Sequence, residues 1–138
     1  LTNVKATVHT TYNWEPKNIV FRNLKAYIRE EINRHYKPGF IGEATRETLE
    51  EANFWLNVYE KDDYAQDHHH WPFHYSFAYF VECDKDHPPL VFTDNGYEGP
   101  PVEGTYVAFP AYLKHSVAKN TLDKVRITLS GNFNCIHP

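Results

Sequence analysis

Apolar residues recur at three- and four-residue steps between residues 18 and 36, which is the period of a helix with one buried face. The sequence therefore predicts a helix over this range, ending before Pro38 and Gly39. A second, shorter helix is predicted over residues 45–52, with its glutamates on the exposed face. The apolar stripe of the first helix consists of Phe21, Leu24, Ile28 and Ile32.

From Asn53 onward the apolar pattern changes to period two, and aromatic and β-branched residues dominate, as is typical of strands. Turn residues such as Asp94-Asn95-Gly96 separate these segments. Short strands at this spacing predict a β-sandwich or barrel of about residues 53–134, with a helical part of about residues 16–52 packed outside it. The predicted strands cover residues 53–59, 73–82, 90–93, 104–109, 115–118 and 125–133.

The composition fits one folded domain over residues 1–138, because 41% of the residues are apolar and 16% are aromatic. A net charge of −4 without a basic run argues against a nucleic-acid partner. No segment approaches the roughly 20 apolar residues of a membrane span, and no export leader is visible. The chain begins at Leu1 and lacks Met, so we expect the native start to precede it. Cys83 and Cys135 are expected to be free thiols in a reducing compartment, the cytoplasm.

Three consecutive histidines, His68-His69-His70, precede a strongly apolar strand. Strand side chains alternate between faces, so His68 and His70 point the same way, and His74 shares their parity. Several imidazoles on one face are costly in a core unless each finds a partner, and imidazole is the commonest metal-ligating side chain. The sequence favours a metal site here over the alternative of a polar surface loop.

His115 follows a glycine, a strand and Pro110, and a proline-led bend can return a lone histidine across a barrel mouth. A surface histidine is the alternative. Arg126 comes eleven residues later and shares one strand face with Thr128 and Ser130. If this face is internal, the guanidinium needs an anion, and a carboxylate bound bidentately with help from Thr128 is the natural match. The alternative is an outward arginine on a solvated face.

Together, the His-x-His pair, a histidine about 45 residues later and an arginine eleven residues after that resemble the 2-oxoglutarate/iron(II) oxygenase superfamily. The resemblance is closest to a subgroup of small oxygenases known from bacteria and phages. It covers roughly residues 53–134, more than half of the chain. The matching segments are Trp55-Leu56-Asn57-Val58, Asp63-Tyr64, His68-His69-His70, Ser76 to Val81, Leu90-Val91-Phe92, Gly104, Phe109-Pro110, Leu113 to Val117, Asn120, Arg126 to Ser130 and Asn132.

The resemblance implies a mostly β double-stranded β-helix, the jelly roll that cupins share, and a dioxygenase that uses Fe(II), 2-oxoglutarate and O₂. It implies that His68 and His115 ligate the metal and that Arg126 and Thr128 bind the far carboxylate of the co-substrate. Asn57 and Tyr79 are further candidates for the co-substrate pocket, with ordinary core roles as the alternative. Most of the superfamily has Asp or Glu where this chain has His70, so we expect three histidine ligands, unless His74 replaces one of them.

Two other classes of function stay open on the sequence. A cupin-type metalloenzyme that does not use 2-oxoglutarate fits the spacing Gly104-x5-Pro110-x4-His115, and a non-catalytic jelly-roll binding module fits the fold. The partners predicted are a small-molecule co-substrate and an unidentified substrate. Aromatic residues expected to wall the pocket are Trp55, Trp71, Phe73, Tyr75 and Tyr112. Histidines expected at the surface are His9, His35, His87 and His137.

Overall fold

The computed structural model describes residues 9–10, 18–35 and 48–136 of the chain. It contains one helix, α1 (Ile19–His35), within these residues. The strands are β1 (His9–Thr10), β2 (Thr48–Tyr59), β3 (Ala65–His68), β4 (Tyr75–Glu82), β5 (Leu90–Phe92), β6 (Glu98–Gly99), β7 (Tyr106–Pro110), β8 (His115–Val117) and β9 (Arg126–Ile136).

The strands form two antiparallel sheets. The larger sheet has the order β1-β2-β9-β4-β7, and the smaller has the order β3-β8-β5-β6. Strands that are hydrogen-bonded neighbours, such as β2 and β9, are far apart in sequence, so these pairings are non-local. Both sheets are purely antiparallel, as is usual in a sandwich or jelly roll.

The larger sheet buries both of its faces, because successive side chains of a strand point to opposite sides. One face packs against α1 through a cluster of aromatic and aliphatic side chains. The other face meets the smaller sheet. The helix-side cluster contains Ile28, Ile32, Leu49, Phe54, Phe77, Leu129 and Phe133. The cluster between the sheets contains Tyr59, Ala65, Ala78, Phe80, Leu90, Phe92, Phe109 and Val117.

Helix α1 confirms the first predicted helix. Asn18 caps it, since its side-chain oxygen accepts a hydrogen bond from the backbone N–H of Val20 at 2.8 Å. Lys25 is also buried on the sheet-facing side and forms a 2.9 Å ion pair with Glu51 on β2. No helix among the described residues is long and apolar enough to cross a membrane.

The second predicted helix is wrong over residues 48–52, which form the first part of β2. Residues 45–47 lie outside the described residues. Helix propensity is a weak prior that tertiary pairing overrides. Here β2 pairs with β9 along its whole length, from Thr48↔Ile136 to Tyr59↔Arg126, and Leu49 is buried against α1. A bulge between Glu51 and Asn53 interrupts the register and hides the alternation in the sequence.

The predicted strands from residue 53 onward all form, with ends that differ by a few residues. The short strands β3 and β6 and the two-residue β1 were not predicted. In β3 the central Gln66 and Asp67 are exposed and polar, and β6 has only two residues. Such segments carry little apolar periodicity from which a strand could be inferred.

Gly131 lies in the middle of β9 and faces the helix side of the sheet. A Cβ atom at this position would overlap the rings of Phe54 and Phe77. The absence of a side chain therefore allows these two rings to pack against the centre of the sheet.

Candidate metal centre and anion pocket

Three histidines meet at one end of the space between the sheets. The ring centroids of His68 and His115 are 4.3 Å apart, those of His70 and His115 are 4.9 Å apart, and those of His68 and His70 are 5.3 Å apart. One nitrogen from each ring lies within 4.8 Å of the others, which makes these residues a candidate metal site within the described part of the chain. The structure thus brings together the three histidines singled out in the sequence.

The two histidines that lie in strands face each other, since His68 ends β3, His115 begins β8 and the two are register partners. His70 follows the end of β3. Its backbone N–H donates to the carbonyl of Ala111 at 2.8 Å, and the N–H of Ala111 donates to the carbonyl of His74 at 2.9 Å. These bonds attach the segment after β3 to the segment after β7 and so fix the third imidazole beside the other two.

Each of the three imidazoles has its Nδ1 atom next to a carbonyl oxygen. The Nδ1 of His68 lies 2.7 Å from the carbonyl of Gln66, and that of His115 lies 3.0 Å from the carbonyl of Leu113. The Nδ1 of His70 lies 2.8 Å from the side-chain oxygen of Asn132. A carbonyl oxygen only accepts hydrogen bonds, so Nδ1 carries the proton in each ring. The Nε2 atom of each ring is then a lone-pair donor for a metal.

Burial keeps these imidazoles in the neutral form that ligates metals. Desolvation is the largest cause of the lowered pKa of each ring, and the mutual proximity of the rings lowers it further for His70 and His115. The pKa falls to about 4 for His70 and to about 3 for His115. Three neutral nitrogen donors suit iron, zinc, copper and nickel.

A polar stripe runs along β9 on the face that looks toward the smaller sheet. Its members are buried, although they are polar or charged, and their spacing of two residues follows from strand geometry. The structure therefore places the arginine and the two hydroxyl residues on an internal face. The stripe consists of Arg126, Thr128, Ser130 and Asn132.

Arg126 is 1% exposed, and its guanidinium lies between two aromatic rings. Its Cζ atom is 4.9 Å from the ring centroid of Tyr59 and 5.3 Å from that of Phe80. The Nε and Nη1 atoms have no hydrogen-bond partner among the described residues. Burial lowers the pKa of the arginine, but a guanidinium stays charged in proteins. A buried charge with two unsatisfied N–H donors is a site for an anion, and a carboxylate fits its planar fork.

Other donors surround this guanidinium. The Tyr59 ring lies against it, and the Tyr59 hydroxyl has an O–H hydrogen that can be donated. The side-chain amide of Asn57 donates to the hydroxyl oxygens of Thr128 at 3.3 Å and Ser130 at 3.0 Å, so these hydroxyls can donate as well. The side chains around the Arg126 guanidinium therefore offer N–H and O–H donors to a carboxylate.

Tyr59, whose ring lies beside the Arg126 guanidinium, was not predicted from the sequence. It shares the parity of Trp55 and Asn57 on β2 and is the register partner of Arg126. The alternation alone could have identified it. Phe92 and Phe109 were also missed, although their ring centroids are 6.0 Å and 4.8 Å from that of His115.

Two candidate site residues, Tyr79 and His74, lie away from the site, so these two predictions are wrong. Tyr79 packs against the helix-side cluster, on the face of β4 opposite the pocket, so it cannot reach a carboxylate beside Arg126. His74 is exposed and lies outside the group of three histidines that could hold a metal. Its Nδ1 instead accepts a hydrogen bond from the backbone N–H of Cys135 at 3.1 Å.

The aromatic residues expected around the pocket differ in position: some lie near the histidines, and others lie on the helix side of the sheet or at the surface. Trp55 contributes, with its ring centroid 5.6 Å from that of His70. Tyr75 packs on the helix side instead, so its predicted position is wrong. Trp71 and Tyr112, which are neighbours of His70 and Ala111 in sequence, are 67% and 61% exposed. Phe73 is half-buried, in the segment between His70 and β4.

His87 is buried, contrary to the expectation of a surface position. Its Nε2 lies 2.9 Å from the carbonyl of Lys124, and its Nδ1 accepts from the N–H of Asp84 at 2.7 Å, so it joins two loops. His35 is exposed as expected, and the side chains of His9 and His137 lie outside the described residues. Neither Cys83 nor Cys135 forms a disulfide, in agreement with the prediction from the sequence.

Two antiparallel sheets with an outer helix form a double-stranded β-helix, with a histidine triad at one end and a buried arginine on the central strand of the larger sheet. No protein-family model and no curated protein matches the sequence. Solved structures do match. The fold is similar to that of a viral collagen prolyl hydroxylase from Paramecium bursaria Chlorella virus-1 in complex with 2-oxoglutarate, with a TM-score of 0.74 and 12% identity over 95% of this chain and 80% of that chain.

Two bacterial structures are similar in the same way. A Pseudomonas putida prolyl-4-hydroxylase gives a TM-score of 0.65 and 18% identity over 94% of this chain and 72% of that chain. A 2OG-Fe(II) oxygenase family protein from Burkholderia pseudomallei gives a TM-score of 0.62 and 15% identity over 95% of this chain and 65% of that chain. These likenesses confirm the predicted mostly β jelly roll, and of the N-terminal helices predicted with it only the first forms among the described residues. The reaction has to be argued from the site itself.

Proposed function

We propose that the protein is a 2-oxoglutarate- and Fe(II)-dependent dioxygenase that hydroxylates a substrate not yet identified. The observation that carries the proposal is the Arg126 guanidinium, buried with two unsatisfied N–H groups in the same interior that holds three Nε2 donors. When bound, Fe(II) and the 2-oxo acid would supply the oxygen-activating chemistry that hydroxylates a C–H bond. The residues present fit both groups, since imidazoles suit iron and the donor-rich wall suits a carboxylate.

The histidine triad would hold the metal. His68, His70 and His115 are neutral, so they leave the full double positive charge on a divalent ion. An Asp or Glu in place of His70 would remove one unit of that charge. The all-imidazole site therefore favours an anionic co-ligand, and the C1 carboxylate of 2-oxoglutarate would offset one of the two positive charges of the metal, while its far carboxylate would pair with Arg126.

The far end of the co-substrate would be held by the donors on β9 and β2. Arg126 would bind the carboxylate bidentately, with O–H donation from Tyr59 and Thr128. The rings of Phe80, Phe92 and Phe109 surround this region and exclude water, which strengthens the ion pair between the guanidinium and the carboxylate. These residues bind and orient the co-substrate, which is the protein's share of the work in a cofactor enzyme.

The proposal is tested by anaerobic titration of the Fe(II)-loaded protein with 2-oxoglutarate, followed by visible absorption. We expect a charge-transfer band and saturable binding. The matched ligand is 2-oxobutyrate, which has the same chelating end but no far carboxylate. Wild type should bind 2-oxoglutarate more tightly than 2-oxobutyrate, and Arg126→Gln should remove most of that difference. Equal binding of both acids to wild type, or no band with either acid, would reject the proposal.

The same titration separates the other classes of function. A cupin-type metalloenzyme would bind the metal without any response to 2-oxoglutarate, and a non-catalytic module would bind neither. Substrate is then sought by succinate release from 2-oxoglutarate. Proline-containing peptides are tested first, because two of the similar structures are described as prolyl hydroxylases, followed by nucleobases and small metabolites.

A further inference from the structure

Asn132 lies at the centre of a polar row that crosses three strands of the larger sheet. It is the register partner of Asn53 on β2 and of Ser76 on β4. Its side chain is 2% exposed, and Ser76 is fully buried. The Asn132 Nδ2 atom donates to the Asn53 side-chain oxygen at 2.9 Å, and the Ser76 hydroxyl donates to the Asn132 Oδ1 at 2.7 Å. These bonds direct the carbonyl end of the Asn132 amide toward His70.

His70 differs from the other two histidines in what holds its Nδ1 atom. His68 and His115 use backbone carbonyls two residues earlier in their own segments. His70 uses the Asn132 side chain, whose Oδ1 lies 2.8 Å from Nδ1. The Ser76 Oγ lies 3.0 Å from the same Nδ1, but the Ser76 hydrogen is directed to Asn132. An acceptor therefore faces His70 Nδ1, and the imidazole donates.

We propose that Asn132 is a positioning residue, which holds His70 in the Nδ1–H tautomer so that Nε2 faces the metal. The inference rests on the proposed function only in that the site binds a metal. The need for such a residue follows from the presence of His70 where most of the 2-oxoglutarate/iron(II) oxygenase superfamily has Asp or Glu. A carboxylate ligand has two equivalent oxygens and no tautomers, whereas an imidazole ligates through Nε2 only if its proton is on Nδ1. A histidine at position 70 therefore needs an acceptor behind it, and Asn132 is that acceptor.

The first readout is the tautomer of His70 in the metal-free protein. Nitrogen-15 NMR of histidine-labelled protein distinguishes a pyridine-like from a pyrrole-like Nε2, and a His70→Gln variant assigns the signal. Wild type should show a pyridine-like Nε2 at His70. Asn132→Leu, which keeps the size but removes the acceptor, should give a mixture of tautomers. Asn132→Asp keeps an acceptor oxygen and should retain the wild-type tautomer, as should Ser76→Ala.

The second readout is metal affinity, measured with Co(II) or Zn(II) alone. Losing the hydrogen bond behind a metal-ligating histidine typically weakens binding about 10- to 100-fold, and we expect this range for Asn132→Leu. Asn132→Asp should bind at least as tightly as wild type. Ser76→Ala should bind within about threefold of wild type, because the carbonyl acceptor remains.

A folded Asn132→Leu variant with the wild-type tautomer and affinity would overturn the proposal. If Asn132→Leu does not fold, the other two variants decide. A tautomer that changes in Ser76→Ala but not in Asn132→Asp would identify the serine as the acceptor and overturn the role of Asn132, whereas wild-type tautomers in both support it. Neither readout uses iron or 2-oxoglutarate, so the proposal can fail while the oxygenase assignment holds, and the reverse is also true.

Discussion

His68 and His115 are cross-strand partners in the pairing of β3 with β8, and their ring centroids are 4.3 Å apart. A single antiparallel pair in the smaller sheet thus provides two of the three candidate metal ligands, and the segment that follows β3 provides the third. The short strands β3 and β8 share one register pair in addition to this one, Ala65↔Val117. A metal bound here would therefore link two strands that few backbone contacts hold together.

This linkage predicts metal-dependent stability. A divalent metal at 100 times its dissociation constant should stabilise the folded protein by about 2.7 kcal/mol, and a chelator should reverse the effect. His115→Ala should lose the metal-dependent rise in melting temperature. His74→Ala is the control, because its ring lies outside the triad, and it should keep the rise. The idea fails if the two variants respond to metal in the same way.

The second prediction concerns Asn57, which orients two hydroxyl groups of the pocket. Asn57→Leu keeps the volume but removes the donor to Thr128 and Ser130. Each hydroxyl is then free to rotate away from the co-substrate, and a lost hydrogen bond of about 1 kcal/mol corresponds to an affinity for 2-oxoglutarate about fivefold lower. Tyr79→Phe, on the opposite face, should leave this affinity unchanged. Calorimetric titration of the metal-loaded variants measures both.

The third prediction concerns Gly131. Gly131→Ala should lower the free energy of unfolding by about 1–3 kcal/mol, because a methyl group would have to displace the Phe54 and Phe77 rings. Gly99→Ala is the matched control. A Cβ at Gly99 would lie 2.9 Å from one methyl group of Val107, which a side-chain adjustment can relieve. Urea unfolding of both variants should show the larger loss at Gly131, and equal losses would contradict the packing argument.

The fourth prediction is the pH dependence of stability in the metal-free protein. The native pKa is lowered to about 4 for His70 and about 3 for His115, whereas the unfolded value is about 6.5. Between these values the unfolded state binds more protons than the native state, so stability must fall as the pH falls below about 6.5. Each such group contributes up to about 1.4 kcal/mol per pH unit.

Urea midpoints measured from pH 7.5 down to pH 5 test this dependence, before most carboxyl groups titrate. A His115→Leu variant removes one of the buried imidazoles and should show a shallower slope. A slope unchanged from wild type would mean that this ring is already protonated in the native protein, or that it is not buried.

Strand parity explains most of what the sequence predicted correctly. Arg126, Thr128 and Ser130 were placed on one face because β9 alternates without interruption from Arg126 to Asn132. The same rule, applied consistently, would have excluded Tyr79, which is three residues from Ser76 and therefore on the other face of β4. It would also have included Tyr59.

Other features depend on tertiary contacts that no local pattern encodes. The β2 segment before Asn53 resembles a helix in composition, and only its pairing with β9 makes it a strand. His87 was predicted at the surface because nothing nearby in sequence shows that the Lys124 carbonyl covers it. The position of His70 depends on its hydrogen bond to Ala111, which is 41 residues further along the chain.

The two-sided burial of β9 also limits how this gene can change. Inserting or deleting one codon within the strand would reverse the facing of every residue on one side of the change, so either Arg126 and Thr128 would turn toward the helix or Leu129 and Phe133 would turn toward the smaller sheet. Variation along this strand should therefore occur by residue replacement, and divergence in pocket chemistry should be confined to every second position. Length changes are expected in the surface loops.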